Sequence, residues 1–297
     1  MHAHIVDLDA LLRRLLAGEV LSETPPDGPA GAVVQAALRW THQSLRGRKA
    51  QPLVLVSPDE QSWGPSEQPT WRAVLQALAL LPVATLQGTQ SSQLAWGLTK
   101  TLQSQGARVS LYGEGPLWWQ MVGPRSDWTA LFGRKQVRAE SFYRDTEQPA
   151  PARVPQWLAL SSPSAGLTAK QAQALLSRYG ELGAVLTAAQ DFMGWSAEPA
   201  WAQGLSDVDR QKAVLKVWAS LCLGRRPDAL EQAQLHWGRL DELALAEHLQ
   251  DTGALEGLGD FLEWVNAWEK AAPARADCLQ VSRAWSQTKS DWPGVRV

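Results

Sequence analysis

Gly166-Leu-Thr-Ala-Lys-Gln-Ala-Gln-Ala-Leu-Leu-Ser-Arg-Tyr-Gly-Glu-Leu-Gly-Ala-Val-Leu186 is the stretch whose reading decides the rest of the chain. A glycine opens it as a tight turn. Ala172, Leu175 and Leu176 then recur at helical spacing, Gly180 interrupts, and Leu182, Val185 and Leu186 resume the period. The pattern is helix, hairpin, helix. Backbone N–H groups where such helices begin, with the positive end of the helix dipole, can hold a phosphate without reading any base. Short amphipathic helices joined by glycine also serve plain packing, and the stretch alone fits both readings.

Immediately upstream stands Val154-Pro-Gln-Trp157-Leu-Ala-Leu160. The order Val-Pro-x-aromatic-Leu-Ala-Leu followed by the hairpin resembles the 5′-nuclease domain of bacterial DNA polymerase I and the related flap endonucleases. The resemblance extends over roughly nine-tenths of the chain. It implies an α/β fold, a PIN-like (Rossmann-like), mostly parallel sheet flanked by helices, followed by an α-helical part that carries the hairpin. The expected division is a nuclease-like domain over 1–150, a helical domain over 151–270 and a tail over 271–297, with Pro149-Ala-Pro151 at the boundary.

Bulk properties narrow the function. A chain of 297 residues that is 45% hydrophobic can bury one large core or two unequal ones. Its net charge of −2 gives no global attraction to nucleic acid, so any such binding has to come from a local basic surface. Cys222 and Cys278 are far apart and lack metal-ligand spacing, which fits a reducing compartment, and the scattered histidines do not suggest zinc. The absence of a long apolar run or signal-peptide pattern leads to an expectation of a cytoplasmic protein without membrane association. Sixteen tryptophans against three tyrosines and four phenylalanines serve either core packing or base stacking.

The family's chemistry depends on carboxylates at the ends of the sheet strands. His4-Ile-Val-Asp7-Leu-Asp9 resembles its first strand, which makes Asp7 a retained ligand position with Asp9 beside it. A simple helix-capping role for Asp7 is the alternative. The second strand, Pro52 to Val56, leads to Ser57 where the resemblance implies an acid, with Asp59 nearby. The following stretch from Gln61 to Arg72 is short and almost uncharged, so the threading arch of the family is largely missing. Where relatives carry Glu-Gly-Tyr-Glu-Ala-Asp-Asp, this chain has Gln90, Ser92 and Gln93 at the acidic positions. Amides and hydroxyls can cap a helix but cannot neutralise closely spaced Mg²⁺ ions. After the strand ending at Tyr112, Glu114 retains one carboxylate and Pro116 removes the next. Ser161 to Ala165 shortens a loop that bears two more acids in the family, and the associated monovalent-ion site is expected to go with it.

These losses lead to an expectation of a catalytically degenerate 5′-3′ exonuclease or flap-endonuclease-like protein, a pseudoenzyme that binds DNA by structure rather than sequence, in repair or replication. The expected DNA contacts are Gly166, Thr168, Lys170 and Arg178 on the hairpin and Arg134, Lys135 and Arg138 in a basic segment that extends to Arg144. Trp118 and Trp119 are stacking candidates. Flap, branched or single-stranded DNA is the expected partner, alongside a repair or replication protein. No cofactor is expected, Mg²⁺ or Mn²⁺ entering only with residual activity. Two alternatives stay open: a residual nuclease using Asp7, Asp9 and Glu114, and a protein-interaction scaffold. Further along, Asp209 to Leu223 and Leu240 to Trp268 read as helical, and Trp285 and Trp292 as anchors in the tail.

Overall fold

The computed structural model describes residues 2–17, 33, 36–37, 39–41, 53–58, 60–78, 83–86, 90–193, 199–225 and 233–236. Asp59, the segment 240–268 and the tail 271–297 lie outside the described residues. The chain divides into two compact units. The first holds the described residues up to Glu114, with 129–134 and 233–236, and the second holds Gly115–Trp128 and Lys135–Arg225. Among the described residues no helix is long and apolar enough to cross a membrane.

The first unit is built on a sheet. Strand β1 (His2–Asp7) is buried along almost its whole length, as expected of a central parallel strand covered on both faces. It pairs in parallel with β2 (Leu53–Pro58) on one side, Ile5 opposite Val54, and with β4 (Arg108–Gly113) on the other, Ile5 opposite Leu111. Strand β3 (Val83–Leu86) continues in parallel beside β2, and β7 (Gln234–His236) closes that edge antiparallel. Within the first unit the order runs β4-β1-β2-β3-β7. Because the four parallel strands point the same way, Asp7, Ser57 and Glu114 are all delivered to one rim, the edge at which open α/β sheets usually bind ligands. Helix α1 (Leu8–Leu16) buries Leu8, Leu11, Leu12 and Leu15, one apolar stripe at helical spacing. Helices α2 (Gln68–Ala77) and α3 (Ser91–Ser104) follow β2 and β3.

The second unit is mainly helical. After a 3₁₀ turn at Pro116–Met121 and short strands β5 (Ser126–Ala130, whose last two residues belong to the first unit) and β6 (Gln136–Val137), the helices are α4 (Phe142–Thr146), α5 (Val154–Leu160), α6 (Ala169–Tyr179), α7 (Leu182–Asp191), α8 (Ala200–Leu205) and α9 (Val208–Leu221). The six apolar hairpin residues read from sequence (Ala172, Leu175, Leu176, Leu182, Val185 and Leu186) all enter one core with Ala159, Leu160 and Val214. Gln211 ties this core together: its amide donates to the carbonyls of Leu186 and Leu205, at 3.1 and 2.7 Å, and accepts from Gln190 at 3.0 Å. Buried polar groups of this kind are tolerated because their hydrogen bonds are made.

Candidate functional site

At the sheet rim, Asp7 ends β1 with 4% of its surface exposed. Its carboxylate accepts from the Ala10 backbone N–H at 3.1 Å, capping α1, and from the Ser91 hydroxyl at 2.8 Å. The capping alternative therefore describes part of what Asp7 does, and a second helix start adds to it. Among the positions compared with the family's acids, it is the neighbour Ser91, not Ser92, that bonds Asp7. Ser92 is buried with no hydrogen-bond partner for its Oγ, Gln90 is exposed at the N-cap of α3, and Gln93 is half-buried in its first turn. Ser57 is fully buried and accepts from Trp71 Nε1 at 3.2 Å. Pro116 opens the 3₁₀ turn of the second unit and has no side-chain oxygen to offer an ion.

Glu114 is occupied differently. Arg14 Nη2 reaches its carboxylate at 3.2 Å, and the Phe132 backbone N–H donates to the other oxygen at 3.4 Å. Asp9 pairs with Arg13, one helical turn on, at 2.9 Å, and the Arg13 guanidinium lies 4.4 Å from the centre of the Trp63 ring. Burial pushes the Asp9 pKa above the ordinary carboxylate value, overcoming the attraction of Arg13, and nearby Glu67 adds to the rise. Among the described residues no three His, Cys, Asp or Glu side chains converge as a metal-holding group. A pair of divalent ions needs clustered anionic oxygens, and the oxygens present are held by a hydroxyl, by N–H groups and by guanidinium ions of the chain itself. Among the described residues, this rim offers no clustered set of carboxylates of the kind that a two-metal centre uses.

The second unit carries the hairpin. Gly166, at φ +69°, makes the entry turn in a conformation that a side chain resists. Thr168 caps α6 in a reciprocal box with Gln171: the Gln171 N–H donates to the Thr168 hydroxyl at 3.3 Å and the Thr168 N–H donates to Gln171 Oε1 at 2.9 Å. Gly180, at φ +86°, ends the helix, and Gln156 accepts from the Leu182 N–H at the start of α7 at 2.8 Å. Lys170 is exposed on the first turn of α6, while the Arg178 guanidinium lies 5.4 Å from the Tyr179 ring centre on the last. An open groove of about 850 Å³ runs along α6, and Arg144 and Lys170, which lie 26 positions apart in sequence, both line it. Arg144 contacts Asp145 at 3.1 Å, and Asp145 is held below the ordinary carboxylate range first by the Ser141 hydroxyl and then by Arg144. Lys135 and Arg138 are exposed on the same unit, the first with its ammonium 4.6 Å from the Trp119 ring centre and the second bonded to Gln136 at 3.0 Å; Arg134 is exposed on the first unit.

Trp118 and Trp119 correct the expectation of exposed stacking faces. They are 2% and 8% exposed. Trp119 meets Trp128 edge-on at 5.9 Å and lies parallel to Trp157, at 9° and 6.5 Å, so the pair is core material of the second unit. Packing claims them because a 3₁₀ turn places successive side chains around the axis, which a linear reading of Trp-Trp does not reveal.

No protein-family model matches the sequence, and no curated protein does. Solved structures do match in shape. Zinc-bound 5′-exonuclease of bacteriophage T5 superposes with a TM-score of 0.58 at 11% identity, over 86% of this chain and 99% of that one. A flap endonuclease of the same bacteriophage, solved as a pseudo-enzyme-product complex with DNA and metal ions, gives 0.55 at 12% identity, over 90% and 100%. The chain has a 5′-nuclease-like fold. With so little identity the likeness is one of fold. Within this 5′-nuclease-like fold, sequence reading missed Arg14 and Ser91, which hold the two retained acids. It quoted Trp157 as part of a signature without placing it on a groove. The basic residue seven positions beyond Asp7 was the only local sign of the first.

Proposed function

We propose that this chain is a DNA-binding protein of 5′-nuclease-like fold that holds DNA by its phosphates, without sequence readout, and does not cut it. The observation that carries the reading is the state of its two rim acids: Asp7 is committed to Ser91 and Ala10, and Glu114 to Arg14 and Phe132. Hydrolysis in such a fold needs metal ions to generate hydroxide and to spread the charge of the in-line phosphate. Replacing acids with amides, hydroxyls and a guanidinium removes the seats for those ions. It also removes negative charge that would repel a DNA backbone, so binding outlasts cutting.

Support for the binding half comes from the second unit, where the capped α6 start, Lys170 and Arg144 share one groove. The T5 flap endonuclease, which has this fold, has been captured with DNA. Flap or branched DNA in repair or replication is the setting this architecture suits. The test is polarisation titration of the full chain with labelled flap, single-stranded and duplex DNA, together with a cleavage assay in Mg²⁺ and in Mn²⁺. Salt-sensitive binding without product is expected. Product that disappears in Asp7→Asn overturns the reading in favour of a nuclease, and failure to bind any of the three DNAs overturns it in favour of a protein-interaction scaffold.

A further inference from the structure

Among the described residues of the second unit, Trp119, Trp128 and Gln148 are buried with a side-chain polar atom that lacks a hydrogen-bond partner, and of the three Gln148 lines the open groove. It is 1% exposed, it lines the groove along α6, and its side-chain carbonyl oxygen has no hydrogen-bond partner. Leaving a buried acceptor unmade is costly, and native chains rarely retain one without a use. Two aromatic rings line the same groove. Tyr143 is 68% exposed on α4. Trp157, half-buried on α5, is fixed in orientation by its indole N–H donating to the Ala169 carbonyl at 3.0 Å and by the parallel Trp119 ring behind it. Lys170 supplies a cation at the groove wall.

We infer that this groove is a subsite for an unpaired nucleotide: Tyr143 and Trp157 offer faces to the base, Gln148 accepts from an N–H on the base edge, and Lys170 meets the phosphate. The set matches an unpaired base rather than a duplex, whose bases are stacked on each other and whose pairing edges are already used. Stacking platforms beside a backbone-tracking cation are how single strands are generally held. An orphaned amide oxygen adds what a purely electrostatic groove lacks, a demand for a donor. Glu147, also on the groove wall, disfavours a phosphate beside it, and Arg144 and Lys170 are the cations that line the same groove.

This inference rests on the DNA-binding reading above, and the experiment separates the two. Full-length protein is titrated with a short labelled duplex, blunt or bearing a single-stranded extension, using wild type, Gln148→Leu and Tyr143→Ala, with the melting temperature of each recorded. Wild type is expected to prefer the extended duplex. Gln148→Leu, which removes an unpaired polar group from the interior, is expected to keep or raise the melting temperature while losing that preference. Tyr143→Ala, at an exposed ring, is expected to leave melting unchanged and to weaken the extended duplex by about five- to a hundredfold with little change for the blunt one. Equal affinity for both duplexes in wild type, or an unchanged preference in both variants, overturns the subsite and leaves the DNA-binding reading standing. No binding to either duplex overturns both.

Discussion

Asp9 lies in the first turn of α1, where an acid favours the helix dipole, yet burial raises its pKa above the ordinary carboxylate value despite the Arg13 partner. Such a group has a definite signature in stability. Below the unfolded pKa both folded and unfolded chains hold the proton, and the residue's favourable contribution is fully present. As pH rises the unfolded chain ionises first, and the contribution is lost through a window that begins near the ordinary carboxylate value and ends at the raised folded one. Asp9→Asn is therefore expected to match wild type at the acidic end and to gain on it as pH rises through that window, read from urea unfolding at a series of pH values. A variant that loses ground to wild type over the same range contradicts this account. The same residue-scale view shows why the acids were only half legible in sequence. Asp7 and Glu114 could be placed at strand ends from local pattern, whereas their partners Ser91 and Arg14 stand 84 and 100 positions away and are brought in by the sheet order.

Helix α6 is the element on which the hairpin depends, and its start is held by the Thr168–Gln171 box. Thr168→Ala removes the hydroxyl that accepts the Gln171 N–H and donates to the Gln171 side chain, which keeps the bond from the residue 168 backbone N–H. The expected cost is about 1 kcal/mol, measured as a shift of the urea midpoint with the slope unchanged. A loss within error of zero means that the α6 start is held by its packing on the α5 and α7 core instead. At this scale sequence reading served well for physical reasons. Glycines at 166 and 180 mark positive-φ turns that other residues resist, and leucine pairs at helical spacing can bury only one way. It served poorly for Trp118-Trp119, because hydrophobic identity alone does not tell a stacking platform from a core ring. Their neighbour Trp157 shows the reverse: packed on Trp119 by one face, it still lines the open groove.

For the molecule as a whole, a net charge of −2 means that any DNA is attracted by a patch and repelled by the average. Affinity carried by a few phosphate contacts falls steeply with salt, by an amount set by the number of contacts. Lys170→Ala is expected to weaken binding to DNA that carries an unpaired nucleotide and to lower the slope of its log affinity against log salt by about 1, measured by polarisation between about 50 and about 200 mM salt. An unchanged slope would place the phosphate elsewhere on the basic surface of Lys135, Arg138 and Arg144. The Arg14–Glu114 pair belongs to this scale too. A countercharge that is covalently part of the chain is supplied once, at translation, and cannot be exchanged, competed away or chelated. On the proposed function, the rim then keeps its charge balance while the cell's free magnesium rises and falls, and only the competition of magnesium for the DNA phosphates themselves is left to change the grip.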